Sequence, residues 1–405
     1  MSSIFVRRVQ LKNYKSIASC SVDLHELTFL VGQNGAGKSN FLDAIRFVRD
    51  ALRDSLDHAL RERGGIAEVR RKSGGHPTDF GIRLDVQSPE FSGSYAFLVG
   101  AKKGASFEVK EERCDVSFAN GSRSFFHNKA GRIFDTSEKT LPKTSRDRLF
   151  LVAASGLEPF RGIFELLSRM GFYNLNPKLI KELQAPQSSE LLLVEGENIA
   201  SVIGALESRA PEAMQRIQDY LSQVNSSVHG VSKKSVGPAE TLEFRQDVGL
   251  KQPWRFYAQN MSDGTLRALG VLTALFQDGG AQRVPFVGIE EPEVALHPAA
   301  AKYLRSALFE ASERTQVMVT SHSPELLDDE KIVADQVLTV TSQDNATIIA
   351  PLGKESREIL RKHLSSAGEL LRLNQLIPDF SLFDGPGRRA IQLGLFGNEK
   401  NSADS

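Results

Sequence analysis

Eight consecutive residues, Gly32-Gln33-Asn34-Gly35-Ala36-Gly37-Lys38-Ser39, fill every fixed position of the pattern GxxxxGK[ST]. Glycines at these places let successive backbone N–H groups close on phosphate oxygens, and a helix starting at the loop adds the partial positive charge of its N-terminus. Lys38 then reaches the β- and γ-phosphates of a nucleotide, and the Ser39 hydroxyl holds Mg²⁺. Gly32, Asn34, Gly35, Gly37, Lys38, Ser39 and the adjoining Asn40 are the nucleotide-contact candidates on this side. A second group lies far along the chain. Val284 to Ile289 is apolar and ends in Glu290-Glu291-Pro292-Glu293. Strand alternation points neighbouring carboxylates in different directions, so Glu290 is assigned to the Mg²⁺ shell and Glu291 to polarising the water that attacks the γ-phosphate. The competing reading is an acidic cap on an exposed strand. Gln316 to Thr320 forms another strand and ends in Ser321-His322, which offers His322 to the γ-phosphate or the attacking water, although a lone histidine in a turn is more often structural. Ser262-Asp263-Gly264-Thr265 precedes Leu266, Leu269, Leu272 and Leu275 at helical spacing. Ser262 and Gly264 therefore stand where a helix begins, as a second phosphate seat or as an ordinary N-cap and turn.

These residues need strands that deliver them and helices that start beside them. Phe29 to Val31 reads as a buried strand, and Asn40 to Val48 carries apolar residues at helical spacing within a helix expected to reach about Leu60. Ile4 to Leu11 and Ser21 to Val31 are strand-like. Lys12-Asn13-Tyr14-Lys15-Ser16 between them is either a hairpin turn or a basic loop laid against the nucleotide. Arg61 to Gly75 is charged and glycine-rich, with an ordinary solvated face favoured over a polyanion contact. Asp79 to about Phe150 breaks into short alternating runs, an antiparallel β lobe, with Gln87 at one strand end as a weak ligand candidate. Ser155 to Tyr173 and Gly196 to Val224 read as helices, Val236 to Asp247 and Trp254 to Ala258 as strands, and Glu355 to Leu373 as helical, while Gly385 to Ser405 is expected to fray. Leu192 to Glu197 has the apolar-run-then-Glu-Gly form of a TOPRIM nuclease strand. Such a site also needs an Asp-x-Asp pair, and no Asp-x-Asp occurs in this sequence.

The 405 residues allow two or three domains or one large head with insertions. Basic and acidic residues balance at 50 each, which excludes a global field drawing the molecule to nucleic acid or lipid. Cys20 and Cys114 have no metal or CxxC spacing and suit a reducing compartment. No run of 18 apolar residues occurs, so no membrane span is expected and the protein is expected to be cytoplasmic.

In their order along the chain these motifs resemble the ABC-type ATPase heads of the RecF, SMC and OLD group, most closely its compact bacterial members without a long coiled coil. Over residues 1 to about 350, Gly32 to Ser39 looks like Walker A, Ser262 to Thr265 like the signature motif, and Val287 to Glu291 like Walker B. Glu293 to Pro298 is similar to the D-loop, and Thr320 to Ser323 to the switch histidine. Glu290 stands where many ABC heads have Asp, and Asp263 where transporters carry Gly. Asn13 to Ser16 looks like a family element near the nucleotide, which makes Lys15 and Ser16 contact candidates. The resemblance implies an α/β P-loop NTPase head with a mixed sheet and an antiparallel β lobe. On it, residues 1–150 and 236–350 form the head, 151–235 a helical insertion, and 351–405 a helical extension and tail.

It also implies a Mg²⁺-dependent ATPase whose heads pair around two ATP molecules, each phosphate loop facing the partner's Ser262 and Gly264. The expected role is the ATPase subunit of a bacterial anti-phage or genome-maintenance system, acting with a separately encoded nuclease or other effector. Alternatives are an autonomous RecF-like repair ATPase that binds DNA directly, and a nucleotide-gated scaffold with negligible turnover. A membrane-transporter ATPase fits worst, because the signature and the Glu-Pro-Glu-x-x-Leu-His-Pro run differ from transporter heads.

Overall fold

The computed structural model describes residues 5–73, 77–187, 191–247, 249, 253–277, 284–382 and 394–396. Its first strand, β1 (Val6–Tyr14), turns at Lys15-Ser16 into β2 (Ile17–Asp23), with Tyr14 paired to Ile17. β3 (Leu27–Gly32) runs into the phosphate loop. A meander follows: β4 (Asp79–Gln87), β5 (Phe91–Ala101), β6 (Phe107–Phe118), β7 (Arg123–Lys129) and β8 (Arg132–Thr136). This is the expected antiparallel lobe, and β4 pairs with β1 so that it continues the main sheet. The remaining strands are β9 (Gly171–Tyr173), β10 (Val228–Val236), β11 (Ala239–Gln246), β12 (Trp254–Tyr257), β13 (Phe286–Glu290), β14 (Gln316–Ser321), β15 (Val337–Gln343) and β16 (Ala346–Pro351).

One 13-stranded sheet has the order β8-β7-β6-β5-β4-β1-β2-β16-β15-β3-β14-β13-β9, and β10-β11-β12 form a separate antiparallel sheet. β9, β13, β14, β3 and β15 are parallel neighbours. Their apolar residues are buried on both faces, as parallel strands covered on each side require. Leu27, Phe29, Val31, Val287, Ile289, Val317 and Val319 point into one core with the helix Asp263–Phe276. Leu30, Phe286 and Met318 point into the other with the helix Lys38–Arg53. The period-2 strand pattern thus splits one sheet between two cores, and the strand ends carrying the motifs lie where the cores meet.

Several sequence expectations shift. The first helix ends at Arg53 rather than near Leu60, because the Ser55 hydroxyl caps a new helix, Leu56–Arg61, by accepting from the His58 N–H. Gly171–Tyr173, expected as helix, is a strand: its apolar residues pair with Val287–Ile289 after the helix Glu158–Ser168 has ended. The expected Gly196–Val224 helix begins at Ile199 and is two helices, Ile199–Arg209 and Pro211–Val224. Pro211 disfavours the helical conformation at Ala210, which adopts φ −143°. The span 151–235 therefore holds helices together with β9 and β10. The C-terminal extension forms Lys354–Arg361 and Ala367–Arg372. Leu192–Glu197 is a turn fastened by the Asn198 side chain, which accepts from the Leu193 N–H and donates to the Leu191 carbonyl. The expected fraying of Gly385 to Ser405 concerns residues outside those described, apart from 394–396. Among the described residues, no helix is long and apolar enough to cross a membrane.

Candidate nucleotide site

The phosphate loop is shaped by glycine where glycine is required. Gly35 and Gly37 have φ +78° and +107°, in the left-handed region. A Cβ on Gly32 would stand 2.1 Å from the Val340 carbonyl oxygen, and one on Gly37 would stand 2.2 Å from Thr347 Oγ1, so β15 and β16 press directly on the loop. Lys38, only 5% exposed, donates from Nζ to the Gly32 and Gln33 carbonyls at 2.8 and 3.1 Å. Its ammonium thus lies across the loop that it would share with phosphate. Burial lowers the Lys38 pKa, with Glu291 and Glu293 pulling the other way. A cavity of about 430 Å³ opens beside Gly32–Ala36, bounded by Thr339–Ser342 and by Leu371, Asn374 and Leu376 of the C-terminal extension.

Lys15 and Ser16 form a hairpin turn, and Ser16 reaches the phosphate loop by way of Asn40 and Thr347. Ser16 Oγ accepts from Asn40 Nδ2 at 2.7 Å and lies 2.7 Å from Thr347 Oγ1, which itself donates to the Ala36 carbonyl. Lys15 Nζ pairs with Asp43 at 2.6 Å, and the buried Tyr14 hydroxyl donates to the same carboxylate. Arg63 bridges Asp43 and Asp50. Burial works to raise the Asp43 pKa, but Arg63 and Lys15 outweigh it and hold the group below the ordinary range. The basic stretch after Arg61 is thus partly an internal brace: Arg63 is buried, and Arg71 donates to the Ser16 carbonyl. Gln87 lies away from this cluster, because its N–H donates to Phe5 at the end of β1 opposite Lys15 and Ser16. The weak ligand role considered for it does not fit that position.

The acidic strand meets the loop directly. Ser39 Oγ donates to Glu290 Oε2 at 2.8 Å. A hydroxyl beside a carboxylate is the hard-oxygen pair that suits Mg²⁺ when phosphate and water supply its other ligands, so the residues present fit that ion. Glu291 sits just past the strand with φ +42°, and its N–H donates to the carbonyl and hydroxyl of Thr320 on β14. Its carboxylate turns away from Glu290 and stands 3.3 Å from His322 Nδ1. Because β3, β13 and β14 are parallel, the loop, Glu290, Glu291 and His322 all emerge at the carboxyl ends of these strands.

Ser262 and Gly264 sit apart from that cluster. Ser262 caps its helix, accepting from the Thr265 N–H at 3.2 Å, while a Cβ on Gly264 would meet the Ala295 carbonyl oxygen at 2.4 Å. Neither is hydrogen-bonded to the phosphate loop of its own chain.

Two further residues escaped the sequence reading. Arg267, 8% exposed, donates to the Leu175 carbonyl at 2.7 Å and to the Glu290 and Glu291 carbonyls at 3.1 Å, tying the Ser262 helix to the acidic strand. A charged residue inside the run Leu266 to Leu275 was the signal for it. Glu293 is buried; Oε1 accepts from Ser321 Oγ at 2.6 Å and Oε2 has no partner. Burial raises its pKa, against the Ser321 bond. Nothing in its type distinguished it from its two acidic neighbours.

Known proteins resemble this chain in sequence and in fold. Endonuclease GajA of Bacillus cereus (strain VD045) is 21% identical over 342 residues, covering 79% of this chain and 55% of GajA, so the chain spans about half the length of that relative. The OLD nuclease of Thermus scotoductus is 23% identical over 422 aligned positions, covering 96% of this chain and 74% of that protein. Among solved structures, an Smc head bound to the C-terminal winged-helix domain of ScpA superposes with TM-score 0.52 at 15% identity, covering 87% of this chain and 99% of the other. An Smc head bound to the C-terminal domain of ScpA, derived from Pyrococcus furiosus, gives 0.53 at 14%, covering 89% and 99%. These likenesses establish the fold as that of an SMC-type P-loop ATPase head. A family profile described as "AAA domain, putative AbiEii toxin, Type IV TA system" matches residues 27–328, which include every motif above from Gly32 to His322, and the chain belongs to that family.

Proposed function

We propose that the chain is a Mg²⁺-dependent ATPase whose heads pair around ATP and thereby control a partner effector. The observation that carries this reading is the 2.8 Å bond between Ser39 and Glu290, which sets a hydroxyl of the phosphate loop beside a carboxylate of the acidic strand. Ser39 and Glu290 would hold Mg²⁺, which when bound neutralises charge developing on the phosphate oxygens. Lys38 exchanges its two carbonyl partners for phosphate oxygens. Glu291 takes the proton of the attacking water, and His322, 3.3 Å away, orients that carboxylate.

Among the described residues Ser262 and Gly264 make no hydrogen bond to their own phosphate loop, which supports a composite site with those residues supplied by a second copy. Hydrolysis would remove the bridging phosphate and loosen the pair, making dimer geometry dependent on nucleotide. The nuclease relatives support a nuclease or other effector as partner and DNA as a further candidate ligand, and the role we propose is in anti-phage defence or genome maintenance.

The test compares the natural chain with Glu291→Gln by phosphate release and by light scattering with and without ATP and Mg²⁺. The variant is expected to hydrolyse ATP about 10²–10⁴-fold more slowly, the range for loss of a general base, and to accumulate as an ATP-bound dimer. Equal rates would leave a nucleotide-gated scaffold instead.

A further inference from the structure

One face of the antiparallel lobe holds a segment from much later in the chain. Strand register sets up a trough there. Arg83 on β4, Ala96 on β5 and Arg113 on β6 lie side by side, and the next row places Asp85, Ser94 and Asp115 together. Small residues on the middle strand thus form a floor between two arginine walls. Each arginine is braced by the carboxylate two residues on, Arg83 Nε to Asp85 at 2.8 Å and Arg113 Nε to Asp115 at 2.6 Å. This leaves Nη1 of each free to reach outward.

Leu395 and Phe396 occupy the trough. Arg83 Nη1 donates to the Leu395 carbonyl at 3.0 Å and Arg113 Nη1 to the Phe396 carbonyl at 3.1 Å. The Leu395 side chain is 3% exposed and lies over Gly81, where a Cβ would stand 2.3 Å from its Cδ1. The Phe396 ring stacks on His127 at 6.2 Å and 20°, and His127 is held by Glu111 at 2.7 Å. Backbone carbonyls read by charged donors, an apolar side chain seated on a glycine and a stacked ring are independent contacts that select one short apolar sequence.

We propose that this trough is a peptide-docking site whose occupant is the chain's own Leu395–Phe396, and that the pair acts as a latch. The residues before it include Leu371, Asn374 and Leu376, which bound the cavity beside the phosphate loop. The latch therefore fixes to the β lobe the same extension that walls the nucleotide loop.

The test places photoreactive p-benzoylphenylalanine at position 396 of the full chain and maps its cross-links by mass spectrometry in a mixture of isotopically labelled and unlabelled protein. The expected product joins position 396 to the Arg113–His127 region of the same chain. Leu395→Asp, which alters only the docked segment, is expected to reduce it at least about tenfold, the scale set by losing one buried leucine. Arg83→Ala with Arg113→Ala is expected to reduce it too, with an unchanged circular dichroism spectrum. Cross-links scattered over other surfaces, cross-links insensitive to Leu395→Asp, or cross-links found only between labelled and unlabelled copies would each overturn the latch.

Discussion

Replacing Arg267 with methionine removes the one side chain that spans from the Ser262 helix to the carbonyls of both Glu290 and Glu291. The apolar stem of methionine refills much of the space but takes the guanidinium from the Leu175 and Glu290 carbonyls and leaves the Glu291 carbonyl with the Val294 N–H. Hydrogen bonds to charged groups contribute about 1.5–3 kcal/mol each, yet two of these three share Nη2, and the buried guanidinium carries a desolvation cost of its own. That cost is visible in the structure, because Nε is buried without a partner and burial lowers the pKa of Arg267. The net loss works out at roughly 3 kcal/mol. A chain of 405 residues unfolds with an entropy of about 0.85 kcal/mol/K, so thermal unfolding should move down by about 3–4 °C.

The effect on turnover should exceed the effect on stability. Glu291 holds φ +42°, and with Arg267 gone its backbone keeps the Thr320 contacts of its N–H and the Val294 N–H on its carbonyl. A carboxylate misplaced by as little as 1 Å can cost about 10²-fold in rate, whereas the phosphate loop, which Arg267 does not touch, should bind nucleotide with unchanged affinity. Phosphate release, calorimetric unfolding and binding of a fluorescent ATP analogue measure the three quantities. An Arg267→Met protein with natural turnover would refute the coupling, and one with lost nucleotide binding would show that the damage reaches the loop.

Gly37→Ala should abolish nucleotide binding, since the added methyl meets Thr347 Oγ1 at a residue with φ +107°; titration with the fluorescent analogue checks it. Glu112 is buried in the β lobe, where it accepts from the Tyr95 hydroxyl and from the Phe150 and Leu151 N–H groups. Burial pushes its pKa from 4.5 to about 7, against the pull of those three donors. Because the folded state binds the proton more tightly, this group's stabilisation is complete below pH 4.5 and disappears as pH rises through about 7. The change is about 3 kcal/mol. Denaturant unfolding at pH 5 and pH 8 reads that slope, and Glu112→Gln should flatten it.

What was legible in the sequence was whatever rests on local chemistry. Gly32 to Ser39 carries its own turn geometry, and the apolar runs before Glu290 and His322 announce strands buried on both faces. The misplaced elements were decided by distant partners. Gly171–Tyr173 became a strand because Val287–Ile289 offered it an edge. Arg63 left the solvated face because Asp43 and Asp50 were waiting in the core. Lys15 and Ser16 could not be resolved from residue types, since a hairpin and a brace for the phosphate loop call for the same short polar turn. Arg267 and Glu293 had no local signature beyond a charge among apolar or acidic neighbours, so their roles appeared only with the contacts.

On the proposed reading, the placement of the site between two cores would let one head both hold nucleotide and report on it. The helix Lys38–Arg53 packs into the core under the β lobe, and the helix Asp263–Phe276 packs into the core on the opposite face. The sheet between them is shared, so Ser39 belongs to one side and Ser262 to the other. Glu290 and Glu291 are where the two sides are joined, by Ser39 from above and Arg267 from below. A phosphate that engages Ser262 of one copy would act on a helix already fastened to that copy's catalytic backbone. Movement of that helix would reach Glu291 through Arg267 and through the turn at Ala295 on which Gly264 packs.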